Sequence, residues 1–220
     1  MTLNSCELMS EFRSLKPTSL CSLMTRYGSD KATKHNYSKL YHLLFDQVKD
    51  RVLAVFELGI GSVYPKQRSN MGKSGCPGAS LRAWRDYFTN ALVFAADIDV
   101  KTLFAEPAID TFYCDQTSPR SIQNLWTEIS DLGIKGFDIM IEDGLHTFEA
   151  NTCFFENSCH MVAPGGFYII EDLTSQTAHK LRAKIEEDYR HRFPQFEFHV
   201  VDLPGSRAKD NRLCIVKRNY

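Results

Sequence analysis

From Val52 onward, short apolar runs alternate with segments whose apolar residues recur every three or four positions. The runs have the length and composition of buried strands, and the periodic segments have the spacing of amphipathic helices. Strands that alternate with helices pack as a parallel sheet covered on both faces. The sequence therefore predicts a doubly wound α/β fold. We predict seven strands, mostly parallel with an antiparallel last strand, at Val52–Leu58, Ala91–Ile98, Thr111–Cys114, Phe137–Ile141, Phe167–Ile170, Phe196–Val201 and Leu213–Val216.

The first fifty residues follow a different pattern, with two helical segments and no strand before Val52. Leu20–Tyr27 and Leu40–Val48 are separated by a polar turn, Gly28-Ser29-Asp30-Lys31. We interpret residues 1–50 as a helical cap over the ligand edge of the sheet, and residues 51–220 as the α/β domain. Further along, Ser118-Pro119 is typical of a helix start and Gly133 of a helix end. A helix over about 147–161 is expected to close at Ala163-Pro164-Gly165-Gly166.

Charge and cysteine content exclude several classes of protein. The formal net charge of −1 gives no reason to expect nucleic acid or an anionic membrane as a partner. The seven cysteines are odd in number and form no C-x-x-C pair, which argues against a disulfide framework and a zinc ribbon. No segment has the length of a membrane span or of a signal peptide. We expect a cytoplasmic protein with reduced cysteines.

Acidic residues follow three successive predicted strands, and they suggest a nucleoside site. Glu57-x-Gly59-x-Gly61 ends the first strand, Asp97-Ile98-Asp99 the second, and Asp115-Gln116 follows the third. In open parallel sheets, ligands bind beyond the carboxyl ends of the strands, where an acidic residue can hold both ribose hydroxyls. Asp115-Gln116 would suit an adenine edge. The pattern fits a ligand with ribose and adenine but no phosphates, such as S-adenosylmethionine.

Two phosphate-binding sites are disfavoured at this edge. The dinucleotide fingerprint needs a third glycine, and that position is Tyr64. Gly72-Lys73-Ser74 resembles the end of a P-loop, but the required first glycine is Gln67.

Carboxylates and a histidine also end the next two strands. Asp143, Glu171 and Asp172 would lie side by side, and oxygen ligands suit Mg²⁺. Alternatively, Asp143 caps the following helix and the other two are solvated loop residues. Glu142 is excluded, because side chains alternate along a strand. His146 is a candidate proton acceptor for a substrate hydroxyl, although a lone histidine is more often structural.

These motifs resemble those of class I S-adenosylmethionine-dependent methyltransferases. More narrowly, the chain resembles the bacterial group that contains the macrocin and mycinamicin type of sugar O-methyltransferases and the cephalosporin hydroxylases. The resemblance covers roughly residues 20 to 175. The matching segments are Tyr27-Gly28-Ser29-Asp30-Lys31, His35-Asn36-Tyr37, Glu57-Leu58-Gly59-Ile60-Gly61, Gly78-Ala79-Ser80-Leu81-Arg82-Ala83-Trp84, Asp97-Ile98-Asp99, Asp115-Gln116, Asp143-Gly144-Leu145-His146, Pro164-Gly165-Gly166 and Ile170-Glu171-Asp172.

The resemblance implies a Rossmann-like methyltransferase domain and a Mg²⁺-dependent O-methyltransferase. Its acceptor would be a sugar or glycosylated molecule with vicinal hydroxyls. The implied roles are cofactor binding by Glu57, Gly59, Gly61, Asp97, Asp99, Asp115, Gln116 and Asp143, metal binding by Asp143, Glu171 and Asp172, and catalysis by His146 with Asp143.

Two alternatives remain open: a metal-independent methyltransferase of phenols or small metabolites, and a non-catalytic cofactor-binding scaffold. The resemblance and the apolar cap helices favour a homo-oligomer. The residues between Gly61 and Gly78 depart from the family pattern by an insertion, so the acceptor is not defined by the resemblance.

Overall fold

A computed structural model describes residues 4–220, which form one eight-stranded sheet with helices on both faces. The strands are β1 (Ala54–Leu58), β2 (Leu92–Asp97), β3 (Ala105–Glu106), β4 (Ile109–Tyr113), β5 (Phe137–Glu142), β6 (Val162–Ile170), β7 (Phe196–Asp202) and β8 (Arg212–Arg218). The helices are α1 (Ser5–Ser14), α2 (Ser19–Tyr27), α3 (Tyr37–Phe45), α4 (Ala79–Tyr87), α5 (Pro119–Asp131), α6 (Phe148–Ser158), α7 (Ser175–Lys184) and α8 (Arg190–Arg192), with a π-helical turn at Ile185–Tyr189.

The sheet order is β3-β4-β2-β1-β5-β6-β8-β7. Strands β4, β2, β1, β5 and β6 pair in parallel, and β8 is antiparallel to both β6 and β7. The predicted doubly wound sheet with an antiparallel last strand is therefore confirmed. The strand not predicted, β3, pairs only Ala105 and Glu106 with the start of β4. Two residues are too few to produce a recognisable hydrophobic period.

Each face of the sheet has its own apolar cluster. Helices α5, α6 and α7 cover one face, where Phe56, Trp126 and Phe154 pack with ring centroids 4.9 to 6.1 Å apart. Helices α1 to α4 cover the other face, where Tyr41 and Trp84 pack edge to face at 5.4 Å. Strands β1, β2, β5 and β6 contribute residues to both clusters, as expected of a sheet that is buried on both faces.

The N-terminal helices reach the predicted ligand edge only in part. They pack on a face of the sheet, because their apolar residues join the cluster of α4. The connection between α2 and α3 lines a cavity at the ligand edge through Ser29, Asp30, Lys31 and Lys34. Two tyrosines of α3, Tyr37 and Tyr41, also reach this edge, where they donate to Asp172 and Glu171. The division of the chain near residue 50 stays a prediction.

Local sequence signals predicted both ends of α5 correctly but misplaced the end of α6. Ser118 accepts a bond from the Ser121 N–H at the start of α5, and Gly133 follows the helix with φ +89°. The predicted helix closure at 163–166 is wrong, because α6 ends at Ser158 and a 3₁₀ turn precedes β6. Residues 163–166 belong to β6, whose pairing with β5 is irregular between Phe137 and Ile139.

Candidate functional site

A cavity of about 670 Å³ lies beyond the carboxyl ends of the parallel strands. Its size falls in the range of small-molecule and cofactor sites. The 62–77 segment forms part of its wall through residues such as Arg68 and Met71. Most of the predicted site residues line this cavity, namely Glu57, Gly59, Gly61, Asp97, Asp115, Gln116, Asp143, His146 and Asp172. Asp99 and Glu171 are not among its lining residues.

Glu57, at the end of β1, is completely buried. Its carboxylate accepts bonds from the Ser80 hydroxyl at 2.7 Å and the Trp84 indole N–H at 2.5 Å. The Lys31 ammonium lies 3.4 Å away. Burial raises the pKa of Glu57, and Lys31 opposes that shift. Two side chains of helix α4 therefore fix the position of this carboxylate.

Asp97, at the end of β2, lines the cavity and holds the loop that follows β1. Its two oxygens accept bonds from the backbone N–H groups of Ile60 and Asp99, both at 2.8 Å. Burial raises the pKa of Asp97. A carboxylate has about four lone-pair positions, so each oxygen can accept a further bond from a ligand hydroxyl. Asp99 instead accepts a bond from the Ser62 hydroxyl at 2.5 Å, outside the cavity lining.

Asp115 and Gln116 follow β4 and also line the cavity. Asp115 accepts bonds from the backbone N–H and the hydroxyl of Thr117. The Gln116 amide donates to Glu142 at 3.1 Å, and its oxygen accepts from the Leu145 N–H at 2.6 Å. The Gln116 side chain thus orders the loop after β5, and the predicted contact of its amide with an adenine edge stays a prediction.

Gly59 is required by the packing of two strand ends. Its φ is +97°, and a Cβ there would lie 2.0 Å from the carbonyl oxygen of Asp143. No side chain fits at that distance, so glycine lets the end of β1 approach the end of β5. Gly61 has φ +93° and faces the Met71 sulfur, which would lie 2.1 Å from an added Cβ. The absence of a side chain at both glycines therefore lets neighbouring segments pack closely in the wall of the cavity.

Lys31 is buried at the point where three strand ends meet. Only 2% of its side chain is exposed, and its ammonium contacts Asp143 at 2.5 Å as well as Glu171. Burial would lower the pKa of Lys31, but Asp143, Glu171 and Glu57 raise it well above its ordinary value. Burial would likewise raise the pKa of Asp143, but Lys31 and His146 hold it below its usual range. Lys31 is therefore a permanent cation within this acidic cluster.

His146 and Asp172 face each other across the cavity floor. The His146 Nε2 lies 3.8 Å from Asp143 Oδ1 and 4.0 Å from Asp172 Oδ2, so these three side chains could hold a metal ion. The backbone is left-handed at both His146, with φ +60°, and Asp172, with φ +54°. Such conformations are uncommon for residues other than glycine and cluster at functional sites.

Glu171, predicted as a third metal ligand, points away from the cavity. Its side chain is buried and is bonded to the Lys31 ammonium and the Tyr41 hydroxyl. Burial raises the pKa of Glu171, and the neighbouring carboxylates Asp143 and Glu57 add to that shift while Lys31 opposes it. The structure thus brings Asp143 and Asp172 together at the cavity, with Glu171 directly behind them. Its role as a ligand stays a prediction.

Two tyrosines of α3 complete the cluster, and sequence reasoning did not assign them a role. The Tyr37 hydroxyl donates to Asp172 Oδ1 at 2.7 Å, and Tyr41 donates to Glu171. Lys31 and Tyr37 fall within the segments that carried the family resemblance. That resemblance was the one signal that could have found them, because Asp143 and Asp172, which they contact, lie more than 110 residues further along the chain.

Proteins of similar sequence are sugar O-methyltransferases. The 8-demethyl-8-alpha-L-rhamnosyl tetracenomycin-C 2'-O-methyltransferase of Streptomyces olivaceus is 32% identical over 171 residues, covering 78% of this chain and 42% of that protein. The demethylmacrocin O-methyltransferase of Streptomyces fradiae is 33% identical over 161 residues, covering 73% of this chain and 37% of that protein. The chain thus spans about two fifths of the length of these relatives. No family model matches it.

A solved structure has the same fold. It is the MycE methyltransferase of the mycinamycin biosynthetic pathway in complex with Mg and SAH, with a TM-score of 0.69 and 22% identity. The match covers 93% of this chain and 55% of that one. The class I methyltransferase fold and the resemblance to macrocin and mycinamicin type enzymes, both predicted from the sequence, are confirmed.

Proposed function

We propose that this chain, which has the class I methyltransferase fold and resembles sugar O-methyltransferases, transfers a methyl group from S-adenosylmethionine to a hydroxyl of a sugar or glycosylated acceptor. The observation that carries the proposal is the meeting of Asp143, His146 and Asp172 on the floor of the cavity. The activities named for the similar proteins support it.

The carboxylates that line the cavity suit the ribose hydroxyls and the positive charges of S-adenosylmethionine. Asp97 keeps lone pairs that suit the ribose hydroxyls, and Asp115 lies on the adjacent wall. Glu57 and Asp143 give the neighbouring wall the negative charge that suits a sulfonium and an ammonium group. We therefore assign cofactor binding to Glu57, Asp97, Asp115 and Asp143, together with the backbone at Gly59 and Gly61.

The acidic cluster also fits a divalent cation. Glu57, Asp143, Glu171 and Asp172 carry four carboxylates, and Lys31 is the cation buried among them. Oxygen donors from Asp143 and Asp172 suit Mg²⁺, and Glu171 adjoins them. We propose these three residues as its ligands. The MycE methyltransferase structure is a complex with Mg and SAH, which supports the same ion here.

The residues of the floor have distinct roles in the proposed reaction. S-adenosylmethionine would supply the methyl group when bound, and Mg²⁺ held by Asp143, Glu171 and Asp172 would lower the pKa of an acceptor hydroxyl. His146 accepts the hydroxyl proton at Nε2. Asp143 and Asp172, 3.8 and 4.0 Å from that nitrogen, stabilise the positive charge that the imidazole then carries. The partly buried side chains of the floor orient the reacting groups.

Calorimetric titration with S-adenosylhomocysteine tests the cofactor assignment, with NAD and ATP as controls and with Mg²⁺ present or absent. We expect S-adenosylhomocysteine to bind, and neither NAD nor ATP to bind. A preference for NAD or ATP, or no binding of any of them, would overturn it. The variant Asp97→Asn should weaken binding, whereas Asp99→Asn, outside the cavity lining, should not.

A panel of sugars with vicinal hydroxyls, each paired with its deoxy analogue, tests the acceptor class. Release of S-adenosylhomocysteine should require the diol and should stop in a chelator. One observation favours the metal-independent alternative, because Lys31 already neutralises two of the proposed ligands. Full activity in the chelator would establish that alternative. Tight cofactor binding without turnover on any acceptor would favour the scaffold.

A further inference from the structure

His35 is buried beside the active-site floor, outside the cavity itself. Its side chain stacks on the Tyr37 ring with centroids 4.6 Å apart, and the residue is 2% exposed. Its Nδ1 lies 3.3 Å from the side-chain oxygen of Asn211. The Asn211 amide nitrogen donates to Asn36 at 3.0 Å and to the Leu203 carbonyl at 2.8 Å. These two bonds fix the amide orientation, so the Asn211 oxygen faces His35.

This orientation sets the tautomer of the histidine. Because the Asn211 oxygen can only accept, His35 Nδ1 must carry the proton, and Nε2 of the neutral ring has a free lone pair. Histidines that bind metals use the same arrangement, in which the other ring nitrogen donates to an oxygen. The His35 Nε2 makes no hydrogen bond to any residue of 4–220.

The free nitrogen points at two carboxylates. Asp172 Oδ1 lies 3.5 Å from Nε2, and Asp210 Oδ1 lies 3.9 Å from it. All three atoms lie within 4.8 Å of one another. These three atoms are one nitrogen donor and two oxygen donors, a set of the kind that binds divalent transition metals. Ligands about 2.1 Å from a common tetrahedral metal ion would be ~3.4 Å apart, which is close to these distances.

We propose that His35, Asp172 and Asp210 form a second divalent cation site, which shares Asp172 with the floor of the active site. One imidazole and two carboxylates suit Mn²⁺ or Zn²⁺ better than Mg²⁺, which prefers oxygen ligands. Asp172 would contribute Oδ1 to this site, since its Oδ2 faces His146. The ion would fasten the loop that carries Asp210, which lines the cavity, to the segment before α3. The site does not depend on the proposed methyl transfer.

Equilibrium dialysis with Mn²⁺ after removal of metals by chelation tests this site. We expect His35→Gln and Asp210→Asn each to bind one ion per chain fewer than the wild type. Asp210 is partly exposed on a loop, so its variant should fold even if His35→Gln does not. Asp210→His should recover the lost ion, because an imidazole replaces the carboxylate. Equal numbers of ions in the wild type and in both variants would overturn the proposal.

Pulsed electron paramagnetic resonance of the bound Mn²⁺ identifies the nitrogen ligand. A ¹⁴N coupling should be present in the wild type and in His146→Gln, and absent when His35 and His146 are both replaced by Gln. Loss of the coupling in His146→Gln, in which His35 is intact, would contradict the site. The variant Asp143→Asn distinguishes a failure of the His35 site from a failure of the proposed function. It removes a ligand of the proposed Mg²⁺ site and none of the His35 site. If the protein lacks the Mg²⁺ site, the His35 site still loads one ion.

Discussion

Lys31 determines the charge of the active-site floor at the scale of single residues. It contacts Asp143 and Glu171 directly and lies 3.4 Å from Glu57. These partners belong to three different strand ends, so one ammonium group holds the ends of β1, β5 and β6 together. Removing one partner of a buried ion pair leaves charges without compensation and is strongly destabilising.

Replacement of Lys31 by methionine should therefore destabilise the protein by about 3–5 kcal/mol in the absence of metal. Urea unfolding in a chelating buffer measures the loss. The matched control is Lys34→Met, because Lys34 is 54% exposed and lies 4.0 Å from its partner Asp210. An exposed pair of this kind contributes at most about 1 kcal/mol. Equal unfolding midpoints for the two variants would contradict the role given to Lys31.

His146 should affect the chemical step far more than cofactor binding. Loss of a general base typically lowers the rate ~10²- to 10⁴-fold, so His146→Gln should reduce kcat by that factor. Its S-adenosylhomocysteine Kd should stay within about threefold of the wild type, since removal of a base acts on the transition state. His42→Gln is the control, because His42 lies against Tyr87 and Asp46, away from the cavity. A parallel loss of cofactor binding in His146→Gln would refute the assignment.

At the scale of elements, the acidic residues at the strand ends were predictable from the sequence. The side chains that contact those residues were not. Glu57, Asp97 and Asp143 follow apolar runs, and parallel pairing necessarily brings such ends to one edge. The direction of a side chain there depends on contacts that no local pattern encodes. Glu171, predicted to bind the metal, faces Lys31, and Asp99, predicted to bind the cofactor, faces Ser62, and neither contact could be read from the sequence.

The close approach of β1 and β5 predicts a difference between two glycines with similar backbone angles. Gly59 and Gly133 have φ +97° and +89°, but an added Cβ meets the Asp143 carbonyl only at Gly59. Gly133→Ala should cost about 1–2 kcal/mol from the left-handed backbone alone. Gly59→Ala should cost roughly 2 kcal/mol more, since Asp143 must move.

Urea unfolding compares the two glycine variants, and calorimetry with S-adenosylhomocysteine reports on the cavity. Gly59→Ala should weaken binding, because displacement of Asp143 disturbs the wall that it shares with Glu57. Gly133→Ala, with open space around it, should bind as the wild type does. Equal losses in the free energy of unfolding for the two variants would mean that the ends of β1 and β5 can move apart at little cost.

At the scale of the whole molecule, the two apolar clusters differ in what they support. The cluster of α1 to α4 lies behind Lys31, Tyr37 and Tyr41, so N-terminal packing supports the floor of the site. The other cluster includes Cys114 and Cys214, which lie on opposite sides of the sheet centre. No helix within residues 4–220 is long and apolar enough to cross a bilayer. The predicted homo-oligomer and the absence of nucleic acid partners stay predictions.

The cysteines can report whether the sheet opens as one unit. Burial raises the pKa of Cys114 and of Cys214 to about 12, whereas Cys6 and Cys76 are exposed. At pH 8 a thiol with a pKa near 12 is ionised in only about one molecule in 10⁴, and the thiolate is the reactive form. A thiol reagent should therefore label Cys6 and Cys76 first. Cys114 and Cys214 should react together at the rate of global opening, and the rate should fall as unfolding is suppressed by bound S-adenosylhomocysteine. Mass spectrometry of the labelled peptides measures the labelling rate of each cysteine. Much faster labelling of Cys214 than of Cys114 would mean that β8 detaches before the centre of the sheet opens.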